Sequence, residues 1–264
     1  MSAPAVSVLM SVHNGAAWVT RAVGSVLDQT LTDLEIIVVD DGSTDATPTL
    51  LAALRDPRLR VEWQARTGLT RSLNRALRLA HGPLVARLDA DDLALPDRLA
   101  RQRAFLDAHS DVGLLGTGAR ELDADGRLVR VISPPADDRA IRRVLIRRNP
   151  FVHSSIMMRR ALVERAGGYD ASFRVAQDYD LWLRLSEITR MANLSEPLVI
   201  RCLVPGRVTL ERDDARLRAE ARARWRSIRR RAYAPWTAVF AARPLLAMAV
   251  PLPLRRLLRR GLGR

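Results

Sequence analysis

Near the middle of the chain four residues read Asp89-Ala90-Asp91-Asp92. Asp89 and Asp91 stand two apart, so in extended backbone both carboxylates fall on the same face. Carboxylates crowded in this way repel one another unless a cation neutralises them. Oxygen ligands without histidine or cysteine suit Mg²⁺ or Mn²⁺, which fills the rest of its shell with phosphate and water. Taken alone, the spacing serves equally well if Asp91 or Asp92 caps a helix beginning near Pro96. Two other clusters pair polar groups with a turn: His13-Asn14-Gly15 and Asp40-Asp41-Gly42-Ser43.

Elements legible in the sequence place all three clusters at equivalent points. Apolar runs at 6–12, 34–40 and 84–88 predict strands, with a weaker one at 59–62. Helical stretches fall at about 16–29, 46–54 and 70–79. Thr44 or Asp45 can cap the second, and Pro48 is tolerated in its first turn. Alternation of this kind predicts a parallel sheet with helices on both faces, an α/β fold. Ligands then sit outside the carboxyl ends of the strands, where the three clusters stand. No Gly-x-Gly-x-x-Gly follows the first strand, which argues against a dinucleotide dehydrogenase. Beyond residue 110 the rhythm changes: strands at about 112–116 and 127–132 flank a turn at Asp123–Gly126. A strand near 154–158, helices near 160–166 and 179–187, and a strand near 197–201 complete the body.

Charge separates body from tail. The chain has 264 residues, 43 basic and 29 acidic, and every basic one is arginine. Residues 1–200 hold 26 arginines against 25 acids, whereas residues 201–264 hold 17 against 4. A neutral body does not offer the basic surface that a phosphate backbone requires, so no nucleic-acid partner is expected. Without lysine there is no Schiff-base chemistry and no P-loop lysine. One cysteine, Cys202, forms no intrachain disulfide and points to a reducing, cytoplasmic compartment. It reads as a small buried hydrophobe of an apolar strand. The four histidines give no zinc spacing.

The segments VSVLMSVHNG, IIVVDDGSTD, TGLTRSLNRAL and VARLDADDLALPDRL occur in this order. Together they resemble the family 2 glycosyltransferases with the GT-A fold. NPFVHSSIMMRR and GGYDASFRVAQDYDLWLRL resemble the acceptor half of the same family, so the likeness spans about residues 5–205. It implies a mostly parallel central sheet flanked by helices, with a Rossmann-like nucleotide half and an acceptor half. The expected division is a catalytic domain over 1–206, halved near 110, and an Arg-rich helical and apolar extension over 207–264.

The resemblance also implies roles. Main chain around Ser11, His13 and Asn14, with Asp41, holds the base and ribose of a nucleotide-sugar. Arg71 and Asn74 lie near the nucleotide and sugar. Asp89 hydrogen-bonds the ribose or sugar, and Asp91 ligates the Mg²⁺ or Mn²⁺ that bridges the diphosphate. Asp178 matches the aspartate that relatives use as general base. Displacing a nucleoside diphosphate needs the leaving charge stabilised and an acceptor hydroxyl deprotonated on the opposite face. One base without a covalent nucleophile implies inversion. Two departures stand out: Gln177 where the family often has Glu, and Arg201-Cys202-Leu203-Val204-Pro205-Gly206 where many members carry an Arg-x-His-like lid. Arg201 and Arg207 are the available substitutes.

Other residues admit plainer roles. Asp180 reads as structural and Trp182 as core. His153 fits either a contact to phosphate or acceptor, or a satisfied half-buried histidine. His81 and His109 read as surface residues. In the tail, residues 207–231 form one arginine-rich helical pattern, and residues 232–254 are mostly apolar with Arg243 central. A central arginine and four prolines oppose a membrane span. Short segments lying on an anionic membrane suit the pattern better, with Tyr233 and Trp236 at headgroup depth. Arg255, Arg256, Arg259, Arg260 and Arg264 would meet the lipid. The alternative is a subdomain packed on the body. The function expected is sugar transfer from a nucleoside-diphosphate sugar to a hydroxyl acceptor, lipid-linked or a surface polysaccharide precursor, at the cytoplasmic face of the membrane. The alternatives are a non-catalytic nucleotide-sugar-binding relative and a basic scaffold protein.

Overall fold

A computed structural model of the chain describes residues 3–203 and 213–248. Arg207, the five arginines from 255 on, and part of the expected lid and membrane segments lie outside those residues. β1 (Val6–Val12) and β2 (Leu34–Asp41) are aliphatic runs buried on both faces. Their alternation feeds two separate cores. Leu9, Ile37 and Val39 pack with Leu73, Ala76 and Leu77 of α3 (Leu69–Leu79). Val8, Met10, Ile36 and Val38 pack with Val19, Val23 and Val26 of α1 (Val19–Leu27) and with Leu51 of α2 (Thr47–Ala53). With β3 (Leu59–Gln64) and β4 (Leu84–Arg87), the four strands run parallel in the order β3-β2-β1-β4. Each element predicted in this half is present, within a few residues.

The rest of the chain adds antiparallel strands to the parallel ones, so the sheet is mixed. The second half contains β5 (Asp92–Ala94), α4 (Arg98–Ala108), β6 (Val112–Leu122), β7 (Leu128–Ile132), α5 (Asp138–Leu145), a 3-10 turn over His153–Ser155, β8 (Met157–Arg159), α6 (Arg160–Arg165), α7 (Gln177–Leu185) and β9 (Arg190–Cys202). The order continues β4-β8-β6-β9-β5, with β7 paired to β6. β8 is antiparallel to both β4 and β6, so one continuous sheet crosses the two halves. β5 is absent from the sequence-based reading. Asp92 pairs with Arg201 of β9 in this short strand, so it does not cap α4, which begins after Asp97.

Two helices of the extension are described: α8 (Asp213–Arg229) and α9 (Ala238–Met248). Ala219 and Ala223 of α8 join the core that holds Tyr179, Leu181 and Trp182 of α7. The described part of the extension is therefore packed on the body. Tyr233, expected at headgroup depth, instead packs against that core, while Trp236 is 69% exposed. Pro244 lies inside α9 rather than breaking it. Its missing N–H leaves the Phe240 carbonyl without a helical donor, and Arg224 Nη1 of α8 supplies one at 3.2 Å. Cys202 is half-buried, not a core hydrophobe, because it ends β9 beside the acidic cluster.

Candidate active site

The carboxyl ends of β1 and β2 are tied together by the clusters that the sequence singles out. The Asn14 backbone N–H donates to Ser43 Oγ at 2.9 Å, and the Thr44 N–H donates to Asn14 Oδ1 at 2.8 Å. Asn14 adopts φ 52°, a left-handed conformation that Asn tolerates. Gly15 N–H donates to Thr47 Oγ1 and Ala16 N–H to Asp45 Oδ2. His13 Nδ1 lies 3.0 Å from the Asp41 carbonyl, which fixes that nitrogen as the donor. Ser11 is half-buried on the last turn-facing part of β1.

Asp41 organises the next wall. Its carboxylate accepts from Gln64 Nε2 (2.8 Å), from Thr67 N (2.8 Å) and Oγ1 (3.1 Å), and from Gly68 N (2.7 Å). Burial would raise its pKa, but these donors outweigh it and hold the group below the usual carboxylate range. Gly42 at φ 70° and Gly68 at φ 95° make the two turns possible. A Cβ on Gly42 would sit 2.7 Å from the Arg66 backbone nitrogen. Arg71 follows on the first turn of α3, exposed in a groove of about 390 Å³ with Gln64, Thr67, Asn74 and Arg75. Asn74 touches this groove, yet both ends of its amide bind Tyr169 main chain: Nδ2 donates to the carbonyl at 2.7 Å, and Oδ1 accepts from the N–H at 2.9 Å. It acts as a strut between α3 and the loop that precedes α7.

The acidic cluster stands beyond the end of β4. One carboxylate oxygen from each of Asp89, Asp91 and Asp92 falls within 4.8 Å of the others. Ser154 Oγ lies 2.7 Å from Asp89 Oδ2 and 2.6 Å from Asp92 Oδ2, although a hydroxyl has a single proton. Asp92 is fully buried, and its Oδ1 accepts from the Cys202 N–H at 3.2 Å. Asp91 is half-buried beside Trp18, Arg21, Leu93 and Cys202. Close carboxylates with no nitrogen or sulfur donor fit a hard divalent cation. Asp91 would hold it, with Asp89 beside it and Asp92 as the buried support.

Cations beneath the cluster balance its charge. Arg87 of β4 is 1% exposed and pairs with Asp89 Oδ1. Arg98 is wholly buried, bonded to the carbonyls of Arg87 and Ile156 at 2.8 and 3.1 Å, and desolvation lowers its pKa to about 9. Arg201, one of the two residues considered for the lid, pairs with Glu121 and lies 4.0 Å from Asp92. Burial would raise the pKa of Asp89, and the nearby Arg87, His153, Ser154 and Arg201 more than offset that, leaving it depressed.

Asp178 and Asp89 both act electrostatically on His153 and Tyr169, so the four share one neighbourhood. Asp178 stands on the first turn of α7, after Ala176 in a left-handed conformation (φ 56°). Such strain in a non-glycine residue costs about 1–3 kcal/mol and gathers at functional sites. Asn149 Nδ2 donates to Asp178 Oδ2 at 2.7 Å, and Asn149 Oδ1 accepts from Phe151 N at 3.1 Å. His153 Nε2 is 3.2 Å from the Tyr169 hydroxyl and its ring meets Trp182 edge-on. Desolvation, with Arg87 adding to it, lowers the His153 pKa to about 4, so the imidazole is neutral at pH 7. It is thus a half-buried residue that nevertheless feels the charge of both Asp89 and Asp178. Trp182 is fully buried as core, and Asp180 pairs with Arg184 at 2.8 Å in a structural role.

Asn149, Ser154, Tyr169, Arg87 and Arg98 are site residues that sequence reasoning missed. Arg87 alone carried a signal, as a lone charge in the apolar run LVARL.

Comparison with known proteins places the chain in a family. The model of "Glycosyl transferase family 2" matches residues 7–167. The putative glycosyltransferase EpsE of Bacillus subtilis is 35% identical over 204 residues, 75% of this chain and 72% of that one. The O-antigen biosynthesis glycosyltransferase WbnJ of Escherichia coli is 31% identical over 200 residues, 74% of this chain and 78% of its own. Among solved structures, the mannosyltransferase PcManGT from Pyrobaculum calidifontis, in complex with GDP-Man and Mn²⁺, superposes with a TM-score of 0.65 at 26% identity, covering 100% of this chain and 81% of that one. Staphylococcus aureus TarS in complex with UDP-GlcNAc shares the fold, with a TM-score of 0.66 at 23% identity over 83% of this chain and 66% of that one.

Proposed function

This chain belongs to glycosyl transferase family 2 and is a glycosyltransferase of GT-A fold, and from that premise we propose that it transfers one sugar, with inversion, from a nucleoside-diphosphate sugar to a hydroxyl of a growing polysaccharide or lipid-linked glycan. The observation that carries the reading is that the Asp89–Asp91–Asp92 cluster and Asp178 share one neighbourhood with His153 and Tyr169. Asp91 would hold Mg²⁺ or Mn²⁺, with Asp89 turned to the ribose or sugar, and the ion when bound would supply charge neutralisation for the departing diphosphate. The turns at Ser11–Asn14 and at Asp41 offer backbone and side-chain groups to the nucleotide, with Arg71 at the rim. Asp178 takes the proton of the acceptor hydroxyl as that oxygen attacks the anomeric carbon from the face opposite the leaving group. Asn149 orients the carboxylate, and buried Arg87 fixes Asp89. A single base acting on the acceptor, with no covalent glycosyl-enzyme step, gives inversion. PcManGT binds GDP-Man and Mn²⁺, and WbnJ acts in O-antigen biosynthesis, in keeping with this reading.

A peripheral position at the cytoplasmic face of a membrane goes with such an acceptor. No helix among the described residues is long and apolar enough to cross a membrane. Trp225, Trp236, Val239 and Leu245 are instead more than half exposed on α8, α9 and the turn between them. Exposed arginines 218, 229, 231 and 243 lie on the same two helices and their connection. Indole rings and arginines in that mixture suit an anionic interface.

The test is to offer the purified chain UDP-glucose, UDP-GlcNAc, UDP-galactose and GDP-mannose, with Mn²⁺, Mg²⁺ or EDTA. Release of the nucleoside diphosphate is expected to need the metal and to be lost in Asp91→Ala and Asp178→Asn, with the anomeric configuration of the product opposite to that of the donor. Turnover that survives EDTA, or full activity in either variant, overturns the assignment.

A further inference from the structure

We propose that Arg224, on α8 and outside the span matched by the family model, is a positioning residue for Asp178. The inference rests on Asp178 being the base. Its guanidinium is 3% exposed and reaches three parts of the molecule at once. Nε donates to the Tyr179 hydroxyl at 2.8 Å, Nη2 to the Arg147 carbonyl at 2.9 Å and to Glu220 at 3.1 Å, and Nη1 to the Phe240 carbonyl at 3.2 Å. Four of the five donors of an arginine are thereby engaged inside the protein. Glu220, one turn earlier on α8, supplies the opposing charge.

Two of those contacts bear directly on the base. Tyr179 follows Asp178 in the chain, and its hydroxyl in turn donates to the Leu145 carbonyl at 2.5 Å. Arg147 lies two residues before Asn149, the donor to Asp178 Oδ2. Arg224 thus clamps the first turn of α7 to the segment after α5, the two pieces of chain that carry Asp178 and its donor Asn149. A side chain that moves by about 1 Å can cost a hundredfold in rate. The Phe240 contact shows why an arginine is needed: Pro244 removes the helical donor to that carbonyl, and Arg224 replaces it while holding Tyr179 and Arg147. Lysine offers a point charge in place of this planar fork. The extension is on this account part of the catalytic scaffold, joined to the base by hydrogen bonds rather than tethered beside it.

The experiment uses the full-length chain, wild type and the variants Arg224→Met, Arg224→Lys, Tyr179→Phe, Asn149→Ala and Asp178→Asn. Hydrolysis of whichever donor of the panel above turns over fastest is measured at saturating metal. Arg224→Met is expected to lower kcat about ten- to a hundredfold with donor KM within about twofold, and Arg224→Lys is expected to restore little of it. Combining Arg224→Met with Asn149→Ala should then cost little more than either change alone, because both act through one carboxylate. Tyr179→Phe keeps the ring and removes only the bridging hydroxyl, so it decides the matter if the Arg224 variants fail to fold; a kcat loss in the same direction is expected. Unchanged kcat in Tyr179→Phe and Arg224→Met, or multiplicative losses in the double variant, overturns the proposal. If Asp178→Asn itself remains active, the assignment of the base fails, and the proposal fails with it for that separate reason.

Discussion

Asp41 receives four hydrogen bonds on one carboxylate, all from the segment 64–68. Its folded pKa is lowered, so its contribution to stability is present above the unfolded value, about 3.9, and disappears as pH falls through the folded one. Asp41→Asn should therefore be less stable than wild type at pH 7, with the gap closing as pH drops below about 4. Chemical denaturation across that range checks it, and a gap constant down to pH 3 would refute the linkage. Gly42→Ala should lose about 1–3 kcal/mol, since φ 70° and the 2.7 Å approach to Arg66 N both oppose a Cβ. An unaltered melting temperature would count against it. Asp41, Asp89 and Asp91 are legible from sequence because acids at the ends of apolar runs stand out. Asn149 and Ser154 are not, since a neutral polar residue in a loop becomes a partner only when folding brings it 29 residues from Asp178 and 62 from Asp92 in sequence to hydrogen-bonding distance. Asn74 shows the converse: it stands where the family places a ligand-facing residue, and its amide braces Tyr169.

At the level of elements, β1, β2 and β4 follow from continuous apolar runs and α3 from its helical periodicity. β5 does not. Three residues carry no pattern, and Asp92–Ala94 becomes a strand only because β9 supplies the partner. The same long β9 extends to Arg190 through a ladder with β6 that includes register shifts, so a strand expected near 197–201 covers 190–202. Antiparallel β8 likewise depends on β4 and β6 meeting it from both sides. Removing residues 207–264 takes away Ala219, Ala223 and Arg224 and uncovers the α7 face that they pack on. The truncated chain should melt at lower temperature and lose catalytic rate, measured by calorimetry and donor hydrolysis. A truncation that keeps both would show α7 to be self-sufficient.

Over the whole molecule, the excess of arginine divides into two uses. Arg222, Arg224 and Arg226 are bound to the body, through the Ser172 carbonyl and Phe173 ring, Tyr179, and Asp170 respectively. Arg218, Arg229, Arg231 and Arg243 are exposed, as are Trp225 and Trp236 of the same extension. The charge sum could not distinguish these uses, since the period of a helix tells which residues share a face but not what the face meets. Trp225→Ser with Trp236→Ser should weaken flotation with vesicles containing phosphatidylglycerol while leaving donor hydrolysis in solution unchanged. Equal flotation of the two proteins would remove the membrane from the account. The mixed sheet has a consequence for how the protein is made. β4 leaves the ribosome with one edge unpaired, and the strand that covers it, β8, is translated about 70 residues later. Throughout that interval an aliphatic edge is open to any passing strand, which is the condition under which nascent chains aggregate. Synthesis of this enzyme should accordingly depend on chaperone occupancy between the two strands, with ribosome-bound chains ending before residue 157 far more protease-sensitive than those in which β8 has emerged.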